Sequence, residues 1–287
     1  MGRKINYYLA VFIDVLGQGE KLKEIKNLPK NDDEAKKFNQ LFKETMGAVQ
    51  EVHNSFDSFF NSFNSTNLEK PIDFDNWNKD EQKIYIESKK NNLKYLKFSD
   101  TIVVYFPLDR ESTKVPINSV FIALASAAST FLINLSSKIP LRGAIDIGIG
   151  TELKEGGLYG PILQNLHHLE SEISQYPRIV IGDGLIKMLN DYEKEDNHQN
   201  NQFLKIEKAM LPTIKNFILI DEDGVNILNY LDESMAKGFS TNMKQELYRK
   251  LNNFISEEIN KCINNKKLLD RYKKMQLYVN KSEKYWI

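Results

Sequence analysis

Residues 93–106 read LKYLKF-SD-TIVVYF, two short runs rich in Val, Ile, Tyr and Phe divided by Ser99 and Asp100. Branched and aromatic side chains suit a pleated, half-buried surface, and a polar pair between two such runs marks a tight turn. The stretch predicts a β-hairpin with Asp100 at its tip. Upstream, Tyr7 to Val15 is almost wholly apolar between Asn6 and Gly17, the pattern of a strand buried on both faces. Between these two stretches, Phe38, Phe42, Met46, Val49, Val52, Phe56, Phe59 and Phe63 recur at steps of three and four. That spacing predicts a long amphipathic helix, with Asp32 and Asp33 at its start. Downstream, Pro116 and Asn118 open an Ala- and Ser-rich helix to Lys138, Pro140 stops it, and LRGAIDIGIG at 141–150 reads as another strand. The order is βαββαβ, and such a unit places its first strand beside its third at the centre of the sheet. The end of strand one then approaches the turn between strands two and three, so Asp14 and Asp100 are expected to face each other.

An ionised carboxylate closing a buried apolar strand is costly unless a cation or several donors meet it. For Asp14 one solution is to accept N–H groups from the turn at Leu16 to Gly19. Asp100, taken alone, is an ordinary turn residue. Together the two carboxylates would repel unless a divalent ion binds between them, and hard oxygen ligands suit Mg²⁺ or Mn²⁺ carrying phosphates.

Composition narrows the alternatives. Lys plus Arg and Asp plus Glu number 39 each over 287 residues, so no whole-chain field selects nucleic acid or an anionic membrane. One cysteine, Cys262, excludes an internal disulfide, and four histidines without Cys partners argue against a Cys/His zinc site. The most apolar stretch, Val120 to Ile133, is shorter than the roughly 20 residues of a membrane span. Asp14 interrupts the apolar run after the basic N-terminus and no small-residue cleavage site follows, so a cytoplasmic protein is expected.

The rest of the chain reads as follows. Residues 64–92, rich in Asn, Lys, Asp and Glu, form an exposed insertion with at most a short helix. Gly156, Gly157 and Gly160 precede a helix from about Pro161 to Ser174. RIVI at 178–181 is a strand, LIKMLNDY at 185–192 a helix, and KEDNHQNN at 194–201 a polar loop. FILI-DEDG-VNIL at 217–228 is a second hairpin, and Ser240 to Val279 is helical and basic. A main unit at 1–235 and a helical extension at 236–287 follow. Arg178 either supplies positive charge to the site or pairs with Glu170 or Glu172 on the surface, Arg142 is structural, and Asp146 lies on the solvent side of its strand. The tail KKLLDRYKKMQLYVNKSEKYW fits phosphate contacts and base stacking, or, the preferred reading, a solvated helix face.

FIDVLG, the hairpin with SD at its tip, LRGAIDIGIG and YGPILQNLHHLE together resemble the class III nucleotidyl cyclase catalytic domain, including the pyrimidine cyclases of bacterial Pycsar anti-phage defence. The resemblance covers roughly Ile5 to Leu228. It implies an α+β fold with a ferredoxin-like βαββαβ palm core, a helical insertion and a C-terminal helical tail. It further implies Asp14 and Asp100 as ligands of two Mg²⁺ or Mn²⁺ ions, with the carbonyl of Val15 contacting metal. Gly17, Gln18 and Gly19 fall where backbone N–H groups cradle a triphosphate. Tyr95 and Lys97 fall near the base-selecting position, where purine cyclases carry a Lys that this chain lacks, and each also suits an ordinary outward strand position. Lys215 falls near a Lys that contacts the terminal phosphate. The family's Asn and Arg, four residues apart on the helix after strand four, correspond to Gln164 and His168, and neutral His does not replace a guanidinium. For His168 a surface helix position beside His167 is the competing reading.

The implied activity is conversion of a nucleoside triphosphate, UTP or CTP among the candidates, into a 3′,5′-cyclic monophosphate and pyrophosphate. The implied assembly is a homodimer, with a separate cyclic-nucleotide effector and with neither membrane nor nucleic acid as partner. Two other readings stay open: a degenerate palm domain that binds nucleotide without turnover, and a palm-type oligonucleotide synthase.

Overall fold

The computed structural model describes residues 5–23, 25–66, 70–88, 93–108, 117–154, 156–194 and 202–287. Its first half runs β1 (Ile5–Val15), α1 (Gln18–Leu22), α2 (Asp32–Thr66), α3 (Lys79–Ser88), β2 (Lys94–Phe98), β3 (Thr101–Pro107), α4 (Ile117–Ser136) and β4 (Leu141–Glu152). There follow β5 (Leu158–Tyr159), α5 (Pro161–His168), a π-helical turn at Leu169–Ile173, β6 (Ile179–Ile181), α6 (Asp183–Lys194) and α7 (Gln202–Asn216). The chain closes with β7 (Ile218–Ile220), β8 (Asn226–Leu228), α8 (Glu233–Lys237), α9 (Thr241–Lys261) and α10 (Lys266–Trp286).

The protein is a mixed α+β fold around one sheet in the order β2-β3-β1-β4-β6-β8-β7, with β5 attached to β4. β1 sits between β3 and β4 and is antiparallel to both; the β4–β6 pair is parallel. The hairpin and the central strand therefore stand as the βαββαβ order requires. Alternation along β1 explains why nearly every residue in it is apolar. Leu9, Val11, Ile13 and Val15 enter the main core with α2 and α4, while Tyr8, Ala10 and Phe12 pack under Ile162 and Leu166 of α5. Even-numbered side chains of β1, Asp14 included, thus point to the α5 side.

α4 is apolar on all sides and correspondingly buried, lying between the sheet, α2, α7 and α9. By length and composition it would pass for a membrane span, yet 89% of its most apolar window is packed inside the fold. The stripe of α2 rests on α4 through Val52, Phe56 and Phe60.

Several expectations are refined or corrected. The helix after Gly160 runs to Ile173 as expected, though its last turn from Leu169 is π-helical. Ser240 to Val279 is two helices, broken at 262–265; both pack into the core through Phe254, Met275 and Trp286, and the basic residues of the second keep a solvated face. The insertion carries α3, a short helix as expected, but Phe74, Trp77 and Tyr85 are buried in a small cluster with Phe203. That residue belongs to α7, which the polar loop before it and Pro212 within it disguised. Pro116 and residues 195–201 lie outside the described residues.

One glycine marks how closely the central strands approach. A Cβ at Gly143 of β4 would sit 2.1 Å from the Phe12 carbonyl oxygen of β1, and only backbone movement can relieve that. Gly47, on exposed helix α2, has open space around it. Gly143→Ala should lower stability by about 1–3 kcal/mol, whereas Gly47→Ala should raise it by about 0.5–1 kcal/mol; urea unfolding midpoints of the two variants check both signs.

Candidate functional site

Asp14 is the penultimate residue of β1 and stands opposite Thr101 of β3 and Arg142 of β4. The Thr101 hydroxyl donates to its Oδ1 at 3.1 Å, and Arg142 Nε donates to its Oδ2 at 3.1 Å. Its charge is thus met by a guanidinium and a hydroxyl rather than by the following turn. The Leu16 N–H goes instead to the Pro140 carbonyl.

The β2–β3 turn brings Asp100 to the same place. Val15 N–H donates to the Asp100 carbonyl at 3.1 Å, tying the end of β1 to the hairpin tip. Ser99, the other turn residue, holds φ at +46°, a left-handed conformation that a serine adopts at some cost.

A third carboxyl completes the group. Glu170, in the π turn after α5, is buried and lies 2.6 Å from Arg142 Nε. Burial pushes its carboxyl up to about 7; the positive charge of Arg142 opposes that rise, and the charges of Asp14 and Asp100 together with a hydrogen bond to Asp14 add to it. Asp14 and Glu170 therefore share Arg142, and the charge of Asp100 reaches Glu170. Sequence reading missed Glu170 in this role, yet a signal existed: Ile162 and Leu166 form the buried stripe of α5, and one further step of four lands on Glu170. Arg142, read as structural, bridges two acidic groups.

The other residues named from the sequence are distributed more widely. Gly17 is exposed with φ at +84° and starts α1, Gln18 is buried with Oε1 unpartnered among the described residues, and Gly19 is exposed. Gln164 and His168 are exposed on α5, on Asp14's side of the sheet. Tyr95 points to the opposite side, where its ring meets His53 and its hydroxyl bonds to Asp57 of α2. Lys97 is exposed near the end of β2. Lys215 ends α7 on the α4 side and pairs with Glu193 at 2.6 Å. The fold thus gathers Asp14, Val15 and Asp100, and leaves Tyr95 and Lys215 on the far side of the sheet from Asp14.

Two further readings need correction. Asp146 is buried, 3% exposed, because its carboxylate accepts the N–H groups of Ile147 and Leu185 and the Asn165 amide. These bonds compensate for a desolvation that nonetheless raises its pKa. Arg178 does not pair with Glu170 or Glu172; it is buried against Asp221 at 2.7 Å and Asp223 at 2.8 Å, on the turn between β7 and β8.

Among known proteins, no family model matches the chain, and no curated protein matches its sequence.

The raised Glu170 pKa fixes the sign of a pH effect. Between the ordinary glutamate range and about 7 the folded state holds a proton that the unfolded chain has released, so stability falls as pH rises through that window. Glu170→Gln should flatten this decline, and Asp14→Asn, which removes one of the charges raising Glu170, should shift the decline to lower pH; urea midpoints at pH 4.5 to 8 measure both.

Proposed function

We propose that this protein is a metal-dependent nucleotide cyclase, with a palm-type, class III cyclase-like core, that converts a nucleoside triphosphate into a 3′,5′-cyclic monophosphate and pyrophosphate. The observation that carries the reading is the meeting of Asp14 and Asp100 at one end of the central strands, beside a third carboxyl that their charge helps keep protonated. Carboxylate oxygens of two strand-end aspartates are the ligands that divalent Mg²⁺ or Mn²⁺ prefers.

The donor set fits Mg²⁺ or Mn²⁺: hard carboxylate oxygens of Asp14 and Asp100, with the Val15 carbonyl at the strand end. When bound, the divalent ions would polarise the α-phosphate and offset the charge of the departing pyrophosphate. The remaining work falls to the chain. In the reaction the ribose 3′-oxygen forms a bond to the α-phosphorus, the bond to the β-phosphate oxygen breaks, and pyrophosphate carries off the electron pair. Glu170, beside Asp14 and Arg142, is in its ionised form a carboxylate able to take the 3′-hydroxyl proton. The turn Gly17 to Gly19 offers backbone N–H groups to phosphate. Gln164 and His168, exposed on α5, are available to a neighbouring copy in a homodimer, the assembly that the resemblance implies. On the same ground, pyrimidine triphosphates are the first substrates to try, in the cytoplasm, with the product serving as a signal to a separate effector in defence against phage.

One observation favours a second reading. Both oxygens of Asp14 are engaged, by Thr101 and Arg142, and α5 presents no arginine at the matching position, as a domain that binds nucleotide without turnover would. Incubation with each ribonucleoside triphosphate and Mn²⁺, followed by chromatography, separates the two. The cyclase reading expects one cyclic monophosphate, reduced at least 100-fold in Asp14→Asn and in Asp100→Asn. Binding of triphosphate with no product would support the binding module, and longer products would support an oligonucleotide synthase.

A further inference from the structure

The tail helix α10 carries a group of cations that the proposed cyclase chemistry does not use. Lys267, Arg271 and Lys274 stand on one face of α10, at steps of four and three, and line a cavity of about 190 Å³ with Arg178, Asp223 and Asp270. Arg178 forms the floor. It is 3% exposed, locked by Asp221, Asp223 and the Ile173 carbonyl, stacked on the Tyr176 ring, and its Nε has no partner among the described residues. Among those residues no carboxylate lies within 4 Å of Lys267, Arg271 or Lys274.

Arg271 is the least compensated of the group. Burial and the like charge of nearby Arg142 both disfavour its charged form, and Arg142 already has Asp14 and Glu170 as partners. A partly buried guanidinium with no carboxylate within 4 Å among the described residues is stabilised by an anion between the helix and the floor. Counting Asp221 behind the floor, four cations face three carboxylates, so the cavity keeps an excess of positive charge. An apolar cavity of roughly 150 Å³ accommodates benzene, whereas drug-sized ligands need about 300 Å³ or more. The space therefore suits a small polyatomic anion and is too small for a whole nucleotide. Both walls are held in place, the floor by its ion pairs and α10 by Tyr272 and Met275 in the core.

We propose that this cavity binds a small phosphate-type anion, for which pyrophosphate is the probe. Neither metal nor the cyclase reading is needed for it, because the donors are the chain's own cations. The test is calorimetric titration of the full chain with inorganic pyrophosphate, without divalent metal and at fixed ionic strength. The expected result is saturable one-to-one binding, weakened at least fivefold by Arg271→Gln and by Lys274→Gln, and unchanged by Lys281→Gln, which alters a lysine of the same helix paired with Glu222. Melting curves establish that the variants are folded. Uridine diphosphate as a second titrant assigns the source: weaker binding than pyrophosphate points to the free anion, equal binding to the end of a nucleotide. Absence of saturable binding, or binding that the Arg271 and Lys274 variants leave intact, would overturn the proposal. Because neither triphosphate nor metal is present, the result is independent of whether the protein forms a cyclic product.

Discussion

Arg142 holds together a group that electrostatics alone would push apart. Its Nε lies 3.1 Å from Asp14 and 2.6 Å from Glu170, so one guanidinium compensates two acidic side chains while Asp100 stands close by. Where one cation faces two carboxyls, a proton or a second cation supplies the missing charge. Without a metal, the proton on Glu170 does so, with a pKa near 7. Protonation of Glu170 thus links this site to the stability of the fold.

The placement of that site follows from strand order and side-chain alternation. β1 lies between β3 and β4, so the residues that flank Asp14 come from parts of the chain 87 and 128 positions away. Alternation then gives odd-numbered residues of β1 to the core beneath α2 and α4, and sends Asp14 to the side of α5 and the π turn. The tight contact at Gly143 keeps β1 and β4 in register one residue from the Asp14–Arg142 pair. A structural change at that contact would therefore reach the charged cluster directly.

How much of this the sequence disclosed depended on whether a pattern was local. The hairpin at Ser99–Asp100, the long helix from Asp32 and the apolar first strand are local periodicities, and each appears where the spacing placed it. The approach of Asp14 to Asp100 was legible because strand order follows from the βαββαβ sequence of elements. Glu170 lay one step of four beyond Ile162 and Leu166 on the buried stripe of α5, but a glutamate on that stripe does not disclose that Arg142 lies opposite it. Asp146 was misread because alternation alone gives the face of a strand, and nothing in LRGAIDIGIG reveals that the start of α6 will cover that face with N–H donors. Neither role read for Arg178, charge for the site or a pair with nearby glutamates, foresaw that the β7–β8 turn lies above it. Ion pairs across long sequence separations are the part of a fold that sequence patterns describe least.

The central claim is that chain folding joins Asp14 and Asp100 to grip a divalent ion for phosphate chemistry. The most direct measurement is anomalous diffraction from crystals of the protein grown with Mn²⁺ and a non-hydrolysable nucleoside triphosphate. The account predicts manganese within coordination distance of carboxylate oxygens from both residues, with Arg142 drawn away from Asp14. Manganese bound elsewhere, with the Arg142–Asp14 pair intact and triphosphate distant from the strand end, would contradict it.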